Sequence, residues 1–298
     1  MRRQKLNFSY EDLSGPIPGD HTVWNKFKRH RLALLSLFIL LLIVLTSLAA
    51  PLMTSYGRDD IYLQNQLLAP GAKHIFGTDE LGRDLFTRVL YGGRVSLFVG
   101  FIAMLIALSI GIVLGSLSGY FGGMTDSVVM RSVDLMLSIP IFFFLLFLTL
   151  FFEANLLFVS LIIGVTGWMY IARLVRSLFI SLREKEFVEA ARAIGVGRLK
   201  IIFRHILPCC TAPIIVAATL GVAQAIIIES SLSFLGFGVQ PPVPSWGNLL
   251  KNAIRFTRDC PWIAFFPGMM IFLTVLCFNF LGDGLRDALD PRSDAGKR

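Results

Sequence analysis

Six stretches of this chain carry no Asp, Glu, Lys or Arg: residues 32–57, 95–125, 135–152, 154–172, 205–228 and 260–282. A bilayer core of roughly 30 Å is crossed by about 20 apolar helical residues. Each stretch can therefore span, with 135–152 only just long enough. Backbone polar groups have no water to bond in lipid, so spans of this composition fold as helices. With 55% apolar and 16% charged residues, the chain is outside the range of soluble domains. The expectation is an all-α membrane protein of six transmembrane helices. The first run is read as a permanent span rather than a cleaved signal, because about 30 residues precede it and its core is long enough to cross.

Six spans put the N-terminus, the 120–134 turn, the 173–205 loop and the C-terminus on one side, with 20 Lys and Arg against 8 on the other. The positive-inside rule assigns that side and both termini to the cytoplasm. The net charge of +8 then reflects topology rather than nucleic-acid binding. Cys209, Cys210, Cys260 and Cys277 form neither a CxxC pair nor an obvious disulfide framework. Cys209 and Cys210 read as small apolar core residues. The four histidines lie far apart with no HExxH, so no metal site is expected.

Residues 1–31 form a polar, basic tail. Residues 32–93 hold the first span and an outer amphipathic segment, in which Thr78 or Asp79 is placed to cap an interfacial helix leading into the second span. Residues 94–283 carry the other five spans, and 284–298 a second cytoplasmic tail. In the second span, Gly111, Gly115 and Gly119 bare one helix face for close approach of a neighbour. Arg131 and Asp134 stand three apart, the spacing of a local ion pair. Pro140 is a potential kink in the third span, and Glu153 with Asn155 marks a short outer turn. Arg173 and Arg176 are placed to snorkel to the inner interface. Glu229 has two readings: an intramembrane carboxylate is a functional site by default, or it is an outer-interface residue satisfied by Ser230, Ser231 or water. Pro140, Glu229 and Ser233 are the candidates for a transport path.

Between the fourth and fifth spans lies KEFVEAARAIGVGRLKIIFRHILP, residues 185–208. Phe187, Ala190, Ala191 and Ile194 recur at the spacing of one helix face; Leu199, Ile202 and Ile206 repeat it up to Pro208, which stops a helix or admits it at a first turn. Gly195 and Gly197 separate the two runs, so the pattern is helix, glycine turn, helix. Arg192, Arg198, Lys200 and Arg204 stand among these apolar positions. No GxxxxGK[ST] occurs, so a motor for powered transport would have to come from a partner.

Glu189-Ala190-Ala191, Gly195 three residues after Ala191-Arg192, and Leu207-Pro208 resemble the EAA signature of permease subunits of bacterial ATP-binding-cassette importers. HIFGTDELGRD at 74–84, SLSFLGFG with PSWGNLL between 231 and 250, RHILP at 204–208 and FNFLGDGLRDALDPR at 278–292 are similar to the DppC/OppC-type branch, which imports dipeptides, oligopeptides or nickel. Cys209-Cys210 departs from the polar residue that relatives often carry after the proline. The resemblance implies a type I ABC importer permease fold in the bacterial inner membrane, with the 180–208 region docking as a coupling helix on an ATPase through Glu189, Ala190, Ala191, Gly195, Arg198, Leu207 and Pro208. It also implies a homologous DppB/OppB-type permease, two ATPase subunits holding ATP and Mg, an external solute-binding protein, and no cofactor or catalytic residue on this chain. Three rivals fare worse. A polytopic hydrolase needs GxSxG or HExxH, and neither is present; a DNA-binding helix-turn-helix needs a free domain, whereas this loop is tethered at both ends; a secondary transporter lacks a visible inverted repeat.

Overall fold

A computed structural model describes residues 20–151 and 155–289. Glu153 and the outermost parts of both tails lie outside them. The helices are α1 (Asp20–Arg29), α2 (Arg31–Leu48), α3 (Ala50–Met53), α4 (Leu85–Phe121), α5 (Gly123–Ser138), α6 (Ile141–Phe151), α7 (Leu156–Leu182), α8 (Glu186–Ala193), α9 (Arg198–Lys200), α10 (Thr211–Leu235), α11 (Trp246–Ala253) and α12 (Trp262–Leu289). Among the described residues the fold is helical, with one isolated bridge between Thr78 and Asp84. Five segments are long and apolar enough to cross a membrane: α2, α4, α7, the continuous run Arg198–Leu235, and α12.

The sixth expected span is broken. α5 and α6 meet at 85°, and only their sum qualifies as a crossing. Pro140 explains the corner. Its ring disfavours the helical region for the preceding residue, and Ile139 is extended at φ −89°, ψ 128°. The 11 residues of α6 rise about 16 Å, half of a bilayer core. α5 instead buries Val133 against Trp168, Met169 and Ala172 of α7, and exposes Met124, Val128 and Leu135.

The ion pairs at this corner differ from the local ones expected. Asp134 bonds Arg173 of α7 rather than Arg131, which is exposed. Arg176 places Nη2 2.6 Å from Asp126 and does not reach out singly to an interface. Two rungs thus tie α5 to α7. On the bundle side α4 packs on α7 through Gly111, Gly115 and Gly119, where an added Cβ would meet α7 at 2.6 Å in each case. Without a hydrophobic drive between helices in lipid, such backbone approach supplies dispersion contacts that larger side chains would prevent.

The outer segment corrects the expected interfacial helix capped by Thr78 or Asp79. Residues 74–84 are a loop held by two carboxylates. Asp79 accepts from the Leu81 and Arg83 amides at 2.9 and 3.0 Å and from Arg83 Nε at 2.7 Å. Gly77 and Gly82 take φ +79° and +73°, closing the turn. The cap is therefore Asp84, not Thr78 or Asp79: its Oδ2 accepts from the Thr87 amide at 2.8 Å, and its Oδ1 lies 2.9 Å from His74 Nδ1. Asp84→Ala removes the cap and strands a buried histidine. A loss of about 2 kcal/mol is expected, read as a lowered thermal midpoint in detergent; an unchanged midpoint would show that the cap does not hold the outer segment.

Candidate functional site

The 185–208 stretch forms two short helical runs with a tight reversal between them. α8 carries Glu186 and Glu189 in its first turn and Arg192 in its last, each sign opposite to the local end of the helix dipole. Its C-terminus closes with the Gly195 amide bonded to Arg192 O and the Val196 amide to Ala191 O, both at 3.0 Å. This paired ending requires a left-handed residue between, and Gly195 supplies it at φ +79°.

The second run starts at α9, widens into a π-helical turn over Ile201–Ile206, tightens into a 3₁₀ turn over Leu207–Cys210, and continues as α10. Pro208 accounts for the irregularity. It lacks an N–H and its ring crowds the carbonyl four residues back, so the wide turn relieves a clash that a regular helix would suffer. Pro208 therefore neither stops the helix nor begins it: the helical path passes through it.

Burial splits the apolar positions into two faces. Val188 and Ala191 point inward and share a cluster with Ile201, Ile202, Ile206 and Phe179. The face is thus rotated from the one expected: Val188 lies inside, while Phe187, Ala190 and Ile194 are exposed. Val188 stands three before Ala191, the one signal that could have placed it. On the outside, Ile194 is 81% exposed and Leu199 61%, beside half-exposed Phe187 and Phe203. Glu189 and Arg198 are exposed around this ridge, Leu207 is half-buried, and Pro208 and Cys209 are exposed. Cys210 is buried, in keeping with an apolar core position, whereas Cys209 is not.

One cation joins the loop to the bundle and a second, at the C-cap of α7, ties α7 to the same helix end. The Arg192 guanidinium lies 5.4 Å from the Tyr120 ring centre, and Arg183 donates to Gly119 O at 3.3 Å. Both contacts fall at the C-terminal end of α4, where positive charge is favoured.

The path candidates separate. Pro140 is exposed at the α5–α6 corner. Glu229 and Ser233 are buried against each other at 2.7 Å, and Glu229 also accepts from Ser96 at 2.8 Å and Ser230 at 3.4 Å. Ser231, expected as a partner, bonds Ile227 O instead. Ser96 is separated from Glu229 by 133 residues, and no spacing rule reaches it. Among the described residues no three His, Cys, Asp or Glu side chains converge as metal ligands.

The fold is a bundle of apolar spans with an amphipathic loop helix between the α7 and α10 spans. Residues 111–294 match the family described as binding-protein-dependent transport system inner membrane component, and residues 21–70 match the N-terminal transmembrane domain of oligopeptide transport permease C. The chain belongs to this family of ABC importer permeases, which are transport subunits and not enzymes. It is 44% identical over 282 residues to the dipeptide transport system permease protein DppC of Alkalihalophilus pseudofirmus, covering 95% of this chain and 93% of that one. It is 45% identical over 269 residues to the oligopeptide transport system permease protein OppC of Escherichia coli K12, covering 90% and 89%. A solved structure of the MetNI methionine ABC transporter in inward-facing conformations shares the fold, at a TM-score of 0.57 and 19% identity over 69% of this chain and 96% of that one.

Proposed function

We propose that this chain is one of two permease subunits in an importer of short peptides, and that the 185–208 loop is its contact with an ATPase. The observation that carries the coupling role is the exposed ridge of Phe187, Ile194 and Leu199 on a loop whose opposite face is locked into the bundle. Apolar groups held out on a rigid base fit a groove on a partner, and a rigid base transmits displacement when that groove closes. Glu189, Ala190 and Arg198 flank the ridge, Gly195 sets its turn, and Leu207 and Pro208 join it to α10.

The distribution of Lys and Arg supports an inner-membrane orientation with the ridge and both termini in the cytoplasm. ATP and Mg belong to two partner ATPases, a homologous permease completes the pathway, and an external binding protein delivers the solute. Peptides are favoured over nickel by the dipeptide and oligopeptide names of relatives at 44–45% identity. In a strain lacking this chain, its return is expected to restore uptake of labelled di- or oligopeptides, and the purified chain is expected to carry a second permease and an ATPase. Restored nickel uptake with peptide uptake unaltered would overturn the substrate; purification without an ATPase would overturn the importer reading.

A further inference from the structure

The Glu229 carboxylate joins three parts of the outer half of the molecule. Ser96 lies on α4, Glu229 and Ser233 on α10, and the third part is the segment from Gly236 through α11. Both serine hydroxyls are used twice. Ser96 Oγ donates to Glu229 Oε2 at 2.8 Å and accepts the Trp246 amide at 3.2 Å. Ser233 Oγ donates to Glu229 Oε1 at 2.7 Å and accepts the Val239 amide at 3.1 Å. Two chains of the form amide to hydroxyl to carboxylate therefore run from the outer segment and end on one buried group, whose exposure is 0%.

Directionality restricts what can stand at position 229. Each hydroxyl accepts one backbone amide and turns its single proton to the carboxylate, so both carboxylate oxygens accept. An amide side chain of the same shape replaces one of the two accepting oxygens by an NH₂, so the hydroxyl proton that faced that oxygen loses its acceptor. Hydrogen bonds to a buried carboxylate are strong when complete and costly when broken.

We propose that Glu229 is the positioning residue of a latch that holds the outer segment onto α4 and α10, and that the latch opens when those two helices part. The trigger is built into Ser96: withdrawing α4 from α10 removes one donor from Glu229 and, in the same step, reorients the acceptor of the Trp246 amide. The Trp246 side chain is seated by the same helix. It is fully buried, its Nε1 donates to Val89 O at 3.0 Å, and its ring lies over Gly93, where an added Cβ would come within 3.0 Å of Cζ2. Two of these three bonds belong to α4, and on α10 the Phe237 and Gly238 amides add bonds to Leu232 O. As a gate this deepens the permease reading and rests on it for its purpose, while the latch itself is testable without transport.

A native thiol reports on the latch. Cys260 is 7% exposed and packs with Ala253, the last residue of α11, and with Ile263 at the start of α12. Lifting α11 uncovers it. The assay uses the purified full-length chain with its co-purifying subunits in lipid nanodiscs, and follows maleimide labelling of each cysteine by peptide mass spectrometry. Glu229→Gln and, independently, Ser96→Ala are expected to speed Cys260 labelling about tenfold, a fraction of open latch that corresponds to one unsatisfied buried bond. Cys277, buried in the middle of α12, is expected to label at its original rate, which separates latch opening from unfolding. Ser231→Ala, whose hydroxyl bonds only within α10, is expected to change neither. Wild-type Cys260 rates in both Glu229→Gln and Ser96→Ala would overturn the latch. Faster Cys277 labelling in step with Cys260 would overturn it as well, by assigning the cluster to general stability. Absence of an ATPase from the purified sample would count against the importer reading alone, because the labelling contrast needs no nucleotide.

Discussion

Replacing Gly115 by leucine is expected to remove most of the folded protein from the membrane. A Cβ at Gly115 would lie 2.6 Å from the Ala172 carbonyl oxygen and 3.0 Å from Ala172 Cα, so the obstacle is backbone, which cannot rotate away. Nor can α7 retreat: one turn to either side, Gly111 and Gly119 make the same approach, and further along a Cβ added at Gly164 of α7 would meet the Ala103 carbonyl oxygen at 2.7 Å. The Asp126–Arg176 rung pins the far end. Overpacking in a compliant core costs about 1–3 kcal/mol. Here the helices must separate along the whole seam, and the expected loss is about 3 kcal/mol or more, a large part of a domain's stability. Gly268→Ala makes the contrast. Its nearest neighbour, Leu250 Cδ2, is 3.7 Å away, and the substitution is expected to be neutral or to stabilise by about 0.5 kcal/mol through better helix propensity. Membrane abundance on immunoblots and thermal midpoints in detergent read both. A Gly115→Leu protein as abundant and as stable as the wild type would mean that the α4–α7 seam does not hold the bundle together.

The four-residue spacing of those glycines was legible from the sequence because helix geometry alone puts them on one face. The same holds for the five long apolar runs, whose length against a bilayer admits one structure. What was not legible has a common cause, which is dependence on a distant partner. Asp134 met Arg173 rather than Arg131 because α5 packs on α7, and nothing in a three-residue spacing reports that contact. Asp84 displaced Thr78 and Asp79 as the cap because Asp79 was already engaged with Arg83 and its own loop. At α8 the apolar period was real, but the helix serves two surfaces. Val188 and Ala191 answer to Ile201 and Ile206 on one side, and Ile194 is 81% exposed on the other. A period cannot say which half of an apolar stripe faces home. Glu229 stood out as an intramembrane carboxylate, yet its partner Ser96 is a serine among many in an apolar helix, recognisable only once α4 and α10 are side by side.

That divided helix allows stability and coupling to be pulled apart, and Ile194→Asp is the substitution that does so. Ile194 is 81% exposed, so an aspartate there leaves this chain's own packing intact and is expected to shift its stability by no more than about 0.5 kcal/mol. If the ridge enters an apolar groove on the ATPase, the same carboxylate becomes buried without a partner. Such burial costs several kcal/mol, and about 3 kcal/mol corresponds to a hundredfold or greater loss of affinity. The expected result is normal membrane abundance and thermal midpoint, with ATPase co-purification and peptide uptake both lost. Leu199→Asp, at 61% exposure on the next run, is expected to behave alike, since the two residues would enter one groove. Val188→Asp should differ in kind: Val188 is at 0% exposure, so its replacement lowers the thermal midpoint as well as coupling. Ile61→Asp, an equal change of polarity at a 54% exposed position on the opposite end, should leave ATPase binding and uptake as they were. Normal uptake by both Ile194→Asp and Leu199→Asp would show that the ridge is a solvated surface, and that an ATPase, where it binds, docks elsewhere on the chain.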